Sequence, residues 1–98
     1  MDPGIKIKCK KSFGQFLLTE KPECIVNDGK PEKLDWNKEF FISLQPNLPY
    51  KIAIQFPYMN KICGTASIAL QITPNEVQEY EYHTPFLMTL PGTIQRKH

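Results

Sequence analysis

Apolar and polar residues alternate along most of this chain. Ile5, Ile7 and Cys9 alternate with Lys6, Lys8 and Lys10. Successive side chains of an extended strand point to opposite faces, so this run predicts a half-buried strand with a lysine face. The same period recurs where Phe40, Ile42 and Leu44 alternate with Phe41, Ser43 and Gln45. It is clearest over residues 50–56, with Ile52, Ile54 and Phe56 on one side and Lys51, Ala53 and Gln55 on the other. Further on, Ala66, Ile68, Leu70 and Ile72 alternate with Thr65, Ser67, Ala69, Gln71 and Thr73. Over 78–84, Tyr80 and Tyr82 oppose Glu79, Glu81 and His83. Residues 93–96 offer a short last strand, and the apolar run 13–19 reads as a strand or an irregular crossing segment.

Turn signals separate these runs. Cys24-Ile25-Val26 leads into Asn27-Asp28-Gly29, and Asp-Gly suits a tight hairpin turn with positive φ at both central positions. A second strand then runs from residue 30 towards Trp36, weakened by Pro31 near its start. Pro46-Asn47 and Pro74-Asn75 are turn pairs, residues 57–61 form a loop, and Pro91-Gly92 signals a type II turn. Nine prolines leave no window for a stable amphipathic helix outside residues 12–20. About seven or eight short strands follow, in a single domain spanning 1–98. Their clean alternation predicts an all-β fold, an antiparallel β-sandwich of immunoglobulin-like type.

Composition narrows the class. An apolar fraction of 41% in 98 residues supplies one ordinary core. The net charge of +2 and the single arginine, Arg96, argue against nucleic acid. Cys9, Cys24 and Cys63 form neither an even disulfide set nor a zinc pattern. Cys24, Trp36 and Cys63 follow the order of the immunoglobulin Cys–Trp–Cys core, but reduced, buried thiols are the simpler reading of Cys24 and Cys63. No stretch is long and apolar enough to span a bilayer. The opening Met-Asp-Pro-Gly has no apolar run behind it, so a cytoplasmic protein is expected.

One order of residues is similar to a known group. Asp28-Gly29-Lys30, Trp36, residues 40–44, Pro46-Asn47 and Tyr50-Lys51-Ile52 resemble small bacterial β-sandwich proteins of unknown function. Phe56-Pro57-Tyr58, Cys63-Gly64, residues 82–86 and Leu90-Pro91-Gly92 extend the likeness over 24–96. The chain departs where Pro46-Asn47 stands in place of the group's Pro-Gly. The resemblance implies the fold and a bacterial source, and brings no activity, cofactor or catalytic residue.

Catalytic chemistry finds little foothold. No serine or cysteine sits in a nucleophile motif, and the glycines are too isolated for a phosphate loop. A non-enzyme without a cofactor is expected. His83 with Glu79 and Glu81 on one strand face is the one metal or catalytic alternative; a solvated mixed-charge face is the plainer reading. Lysines 6, 8, 10 and 11 give a second alternative, attraction to an anionic membrane, against the plainer role of shielding an edge strand.

The strongest candidates are large apolar residues beside prolines. Phe56-Pro57-Tyr58-Met59 and Pro85-Phe86-Leu87-Met88 lie outside the clean alternation, and Phe41 stands opposite Phe40. Aromatics and Met are enriched at interfaces. Phe41, Tyr58, Met59, Phe86 and Met88 therefore mark an expected interaction surface, the competing reading being that the loops fold back as core lids. The expected function is a non-catalytic interaction or structural module, binding a protein partner or itself through a sheet edge or these apolar loops.

Overall fold

The computed structural model describes residues 2–11, 20–58, 60–85 and 90–97. Eight strands follow in chain order: β1 Gly4–Lys10, β2 Glu23–Val26, β3 Glu32–Lys33, β4 Glu39–Ser43, β5 Tyr50–Tyr58, β6 Lys61–Leu70, β7 Val77–His83 and β8 Thr93–Lys97. They form two packed four-stranded sheets, β4-β1-β7-β8 and β3-β2-β5-β6. The protein is all-β, as its period-two patterning requires.

Alternation fills the space between the sheets. Ile5, Ile7 and Cys9 of β1 and Ile52, Ile54 and Phe56 of β5 are each at most 1% exposed. Tyr82 closes the same core from β7, and Ile68 and Leu70 pack against it, half buried. Each fully buried aliphatic side chain contributes about 1.5–3 kcal/mol. Burial also pushes the thiols of Cys9 and Cys24 up, to about 12 and about 11. All three cysteines are free. Cys24 lies opposite Ile54 and Cys63 opposite Phe56, so β5 stands between them. Two strand spacings, roughly 10 Å, exceed the reach of a disulfide.

The turns use Asn and Asp. The described non-glycine residues with positive φ are Asn27, Asp28, Asn37, Asn47, Asn60 and Asn75, the residue types that tolerate the left-handed region. Two expected turn pairs, Pro46-Asn47 and Pro74-Asn75, thus hold. The first hairpin turn is displaced by one residue: positive φ falls on Asn27 and Asp28, with Gly29 N–H donating to Val26 O at 3.0 Å. Asn27 side-chain Oδ1 also accepts from Lys51 N–H at 2.8 Å, which fixes it to β5.

Other expectations are corrected. The sheets are not wholly antiparallel, because β1 and β7 pair in parallel, Gly4 beside Val77 through Lys10 beside His83. Alternation along one strand carries no information about the direction of its neighbour. The strand expected from residue 30 to Trp36 shrinks to Glu32–Lys33, and Trp36 instead bridges Cys9. The loop expected at 57–61 is mostly strand, since Tyr58 pairs with Lys61. The type II turn at Pro91-Gly92 does not form: Gly92 lacks the required positive φ, and a Cβ there would sit 2.5 Å from Gly64 O and the Tyr82 ring. Close approach, not turn geometry, demands glycine at that position. The run 13–19 lies outside the described residues.

Candidate functional site

Four strands end the two sheets: β4 and β8 in one, β3 and β6 in the other. An edge strand presents unpaired N–H and C=O groups to any chain that can line up beside it. Three of these edges carry a device against that. β3 is two residues long and follows Pro31. β8 carries Arg96 and Lys97. β6 is bulged: between the pairs Ile54–Ala66 and Phe56–Cys63, one residue of β5, Gln55, faces two of β6, Gly64 and Thr65. Gly64 supplies the left-handed residue of the bulge at φ 61. Its carbonyl accepts from Tyr82 Oη at 2.5 Å, and the Thr65 carbonyl accepts from Gly92 N–H at 3.2 Å. The bulge therefore fastens the β6 edge to the opposite sheet.

β4 has no bulge and no proline, and its one charged residue, Glu39, stands at its start. It is regular over Glu39–Ser43 and pairs on one side with β1, Ile5 opposite Ile42 and Ile7 opposite Phe40. Leu44 N–H donates to Pro3 O at 3.1 Å. In an antiparallel ladder the N–H and C=O of one residue point the same way and alternate along the strand. Leu44, Ile42 and Phe40 thus turn their main chain towards β1. Ser43, Phe41 and Glu39 turn theirs outward, and among the described residues none of these outward groups has a partner.

Side chains reinforce the edge. Phe41 is 41% exposed on the outer face. Its ring lies over Gly4, where a Cβ would meet Phe41 Cζ at 2.8 Å. Beside it, Asp2, Lys6, Phe41 and Val77 line an open depression of about 270 Å³. Phe40 and Ile42 point to the core yet remain half buried, because among the described residues no strand lies beyond β4 to cover them.

The lysine strand is not an edge. β1 lies between β4 and β7, so Lys6 stands between Phe41 and Glu79, and Lys8 between Glu39 and Glu81. Lys6 Nζ is 3.9 Å from Glu39, Lys10 Nζ 3.4 Å from Glu81, and Lys97 Nζ 3.6 Å from Glu81. Exposed pairs of this kind add little stability. Their effect is to interleave both signs across the sheet, so no uninterrupted lysine row faces a membrane. No described helix is long and apolar enough to cross one.

His83 lies on the same face, 2.8 Å from Glu81. Burial raises the Glu81 carboxyl, but the His83 hydrogen bond and the Lys10 charge outweigh it and leave the pKa lowered. Glu81 is thus shared among an imidazole and two ammonium groups. Among the described residues no three acidic, His or Cys side chains converge as a metal site.

Of the expected surface residues, Phe41 and Tyr58 are described; Met59, Phe86 and Met88 lie outside the described residues. The structure does not bring the two described ones together. Phe41 is outward on β4, whereas Tyr58 ends β5 in the other sheet and packs half buried against the core. Glu39, Ser43, Gly4 and Val77 join Phe41 instead. The period-two run through Phe41 marked its face; only the Leu44–Pro3 bond reveals which main-chain groups look outward. No family model, curated protein or solved structure matches the chain.

Proposed function

We propose that this protein is a non-catalytic interaction module that receives an extended segment of a partner protein along the β4 edge. Main-chain pairing to Glu39, Phe41 and Ser43 would supply affinity, and Phe41 with its adjoining depression would read the partner's side chains. The observation that carries this reading is the outward, unpartnered backbone of a regular strand that bears an exposed aromatic ring. The scaffold shares a two-sheet interior with immunoglobulin-like sandwiches. Constant domains of that class order their strands ABED and CFG, whereas here β1 lies between β4 and β7. The resemblance to small bacterial β-sandwich proteins, on the motifs quoted above, bears on architecture alone.

The test uses an array of extended heptapeptides probed with the whole protein and with its Ser43→Pro variant. The Ser43 N–H points away from β1, so proline removes an edge donor without removing a bond of the sheet. Expected is a set of aromatic or β-branched peptides whose binding falls about tenfold in the variant, from loss of one hydrogen bond. An unchanged thermal midpoint confirms the fold. Binding indifferent to Ser43→Pro, or absent, together with unprotected Phe41 and Ser43 amides in the concentrated protein, overturns the reading.

A further inference from the structure

The partner itself can be read from the pattern of β4. Resting on the proposal that β4 is a binding edge, we infer that its occupant is a second copy of this chain, with β4 against β4 antiparallel about a two-fold axis through Phe41.

The register follows from which groups point outward. A two-fold axis through Phe41 opposes Phe41 to its own copy, Glu39 to Ser43 and Phe40 to Ile42. Phe41, Glu39 and Ser43 are the residues whose N–H and C=O face away from β1, so these opposed pairs exchange hydrogen bonds in both directions. Phe40 and Ile42 form the intervening non-hydrogen-bonded pairs, whose side chains approach most closely.

Charge and burial fit the same register. Across the joined outer face one row reads Glu79, Lys6, Phe41 and then the same residues reversed. The next row reads Val77, Gly4, Ser43 and then Glu39, Lys8 and Glu81 of the second copy. Glu39 meets Ser43, so no like charges are directly opposed, and the aromatic pair sits at the centre. On the inner face, Phe40 and Ile42 of each copy cover the half-exposed flank of the other. Of the other edges, β3 has two residues, β8 brings Arg96 and Lys97, and β6 is interrupted by its bulge, with Thr65 already bonded to Gly92.

Size sets the strength. Five residues span about 17 Å. So short a ladder buries less than the roughly 800 Å² per partner of a standard stable interface. The pair is therefore a weak dimer, formed at high micromolar concentration.

Sedimentation equilibrium of the whole protein, up to about 1 mM, tests this together with amide exchange read by NMR. Expected is a reversible dimer in which the Phe41 and Ser43 amides gain protection. Ser43→Glu, which sets a carboxylate opposite Glu39, weakens it about three- to tenfold, and Ser43→Lys strengthens it by a similar factor. Thermal midpoints close to wild type show that both variants fold. A strict monomer overturns the inference, as does a dimer whose Phe41 and Ser43 amides stay unprotected, or one that responds alike to both substitutions. A strict monomer that still binds peptides in a Ser43→Pro-sensitive manner removes the second copy and leaves the binding edge standing. Failure of both measurements removes both.

Discussion

β4 and β6 each end a sheet with one flank free of a neighbouring strand, yet their backbones are used differently. In β6 an extra residue turns two carbonyls, Gly64 and Thr65, towards Tyr82 of β7 and Gly92 just before β8. In β4 the chain runs straight, and the outward groups of Glu39, Phe41 and Ser43 meet nothing described. The difference comes from one residue type. Gly64 adopts φ 61 at no steric cost and leaves room for the Phe56 ring and the Tyr82 hydroxyl against it. β4 contains no glycine, its register with β1 is unbroken, and its outer edge is straight enough to align with a strand laid alongside. An edge spent on internal bonds stabilises the fold; an edge left regular is available for association.

Breaking the stitched edge has the largest expected effect. A Gly64→Ala methyl group would overlap Phe56 Cε1 and the Tyr82 hydroxyl, and would hold alanine in the left-handed region. Steric strain in a filled core together with that φ predicts a loss of about 3–5 kcal/mol in urea denaturation. A loss below about 1 kcal/mol would mean that the bulge does not fasten the sheets. Next comes Tyr82→Phe, which keeps the ring and removes the donor to Gly64 O. A buried carbonyl left short of its donor costs about 1–3 kcal/mol. The Gly92 amide should exchange faster in this variant, since it closes the same bulge through Thr65. Phe41→Ala has the smallest effect on the fold, about 1 kcal/mol by calorimetry, because much of the ring is already in water. Its effect on association should be far larger than its effect on stability. Equal losses in the two measurements would erase the distinction between the edges.

Much of the interior was legible in the chain. Ile52, Ile54 and Phe56 announced their common face by spacing alone, and both Pro-Asn pairs marked turns because Asn accepts positive φ cheaply. The arrangement of strands was less accessible. Lysines 6, 8 and 10 suggested an exposed flank, but their strand is central, because Glu39, Glu79 and Glu81 stand in register with them across β4 and β7. Pairing with a distant segment is written in no single stretch of sequence. Gly92 misled for a related reason: beside proline it signals a turn, while its requirement is the Tyr82 ring, ten residues away along the chain. Phe41 could be singled out from its place opposite Phe40. That its own N–H and C=O look outward depends on a hydrogen bond at Pro3, beyond anything residue types encode.

The parallel join of β1 to β7 has a consequence for how the molecule is made. β1 leaves the ribosome before both its neighbours and takes its central place only once β4 and then β7 have been synthesised, and until then its alternating isoleucines have no complete shelter. Contacts so remote along the chain slow folding, since the intervening polypeptide must close into a loop before any of them forms. The lysines between those isoleucines keep the waiting segment hydrated and discourage it from pairing with its copies on neighbouring nascent chains.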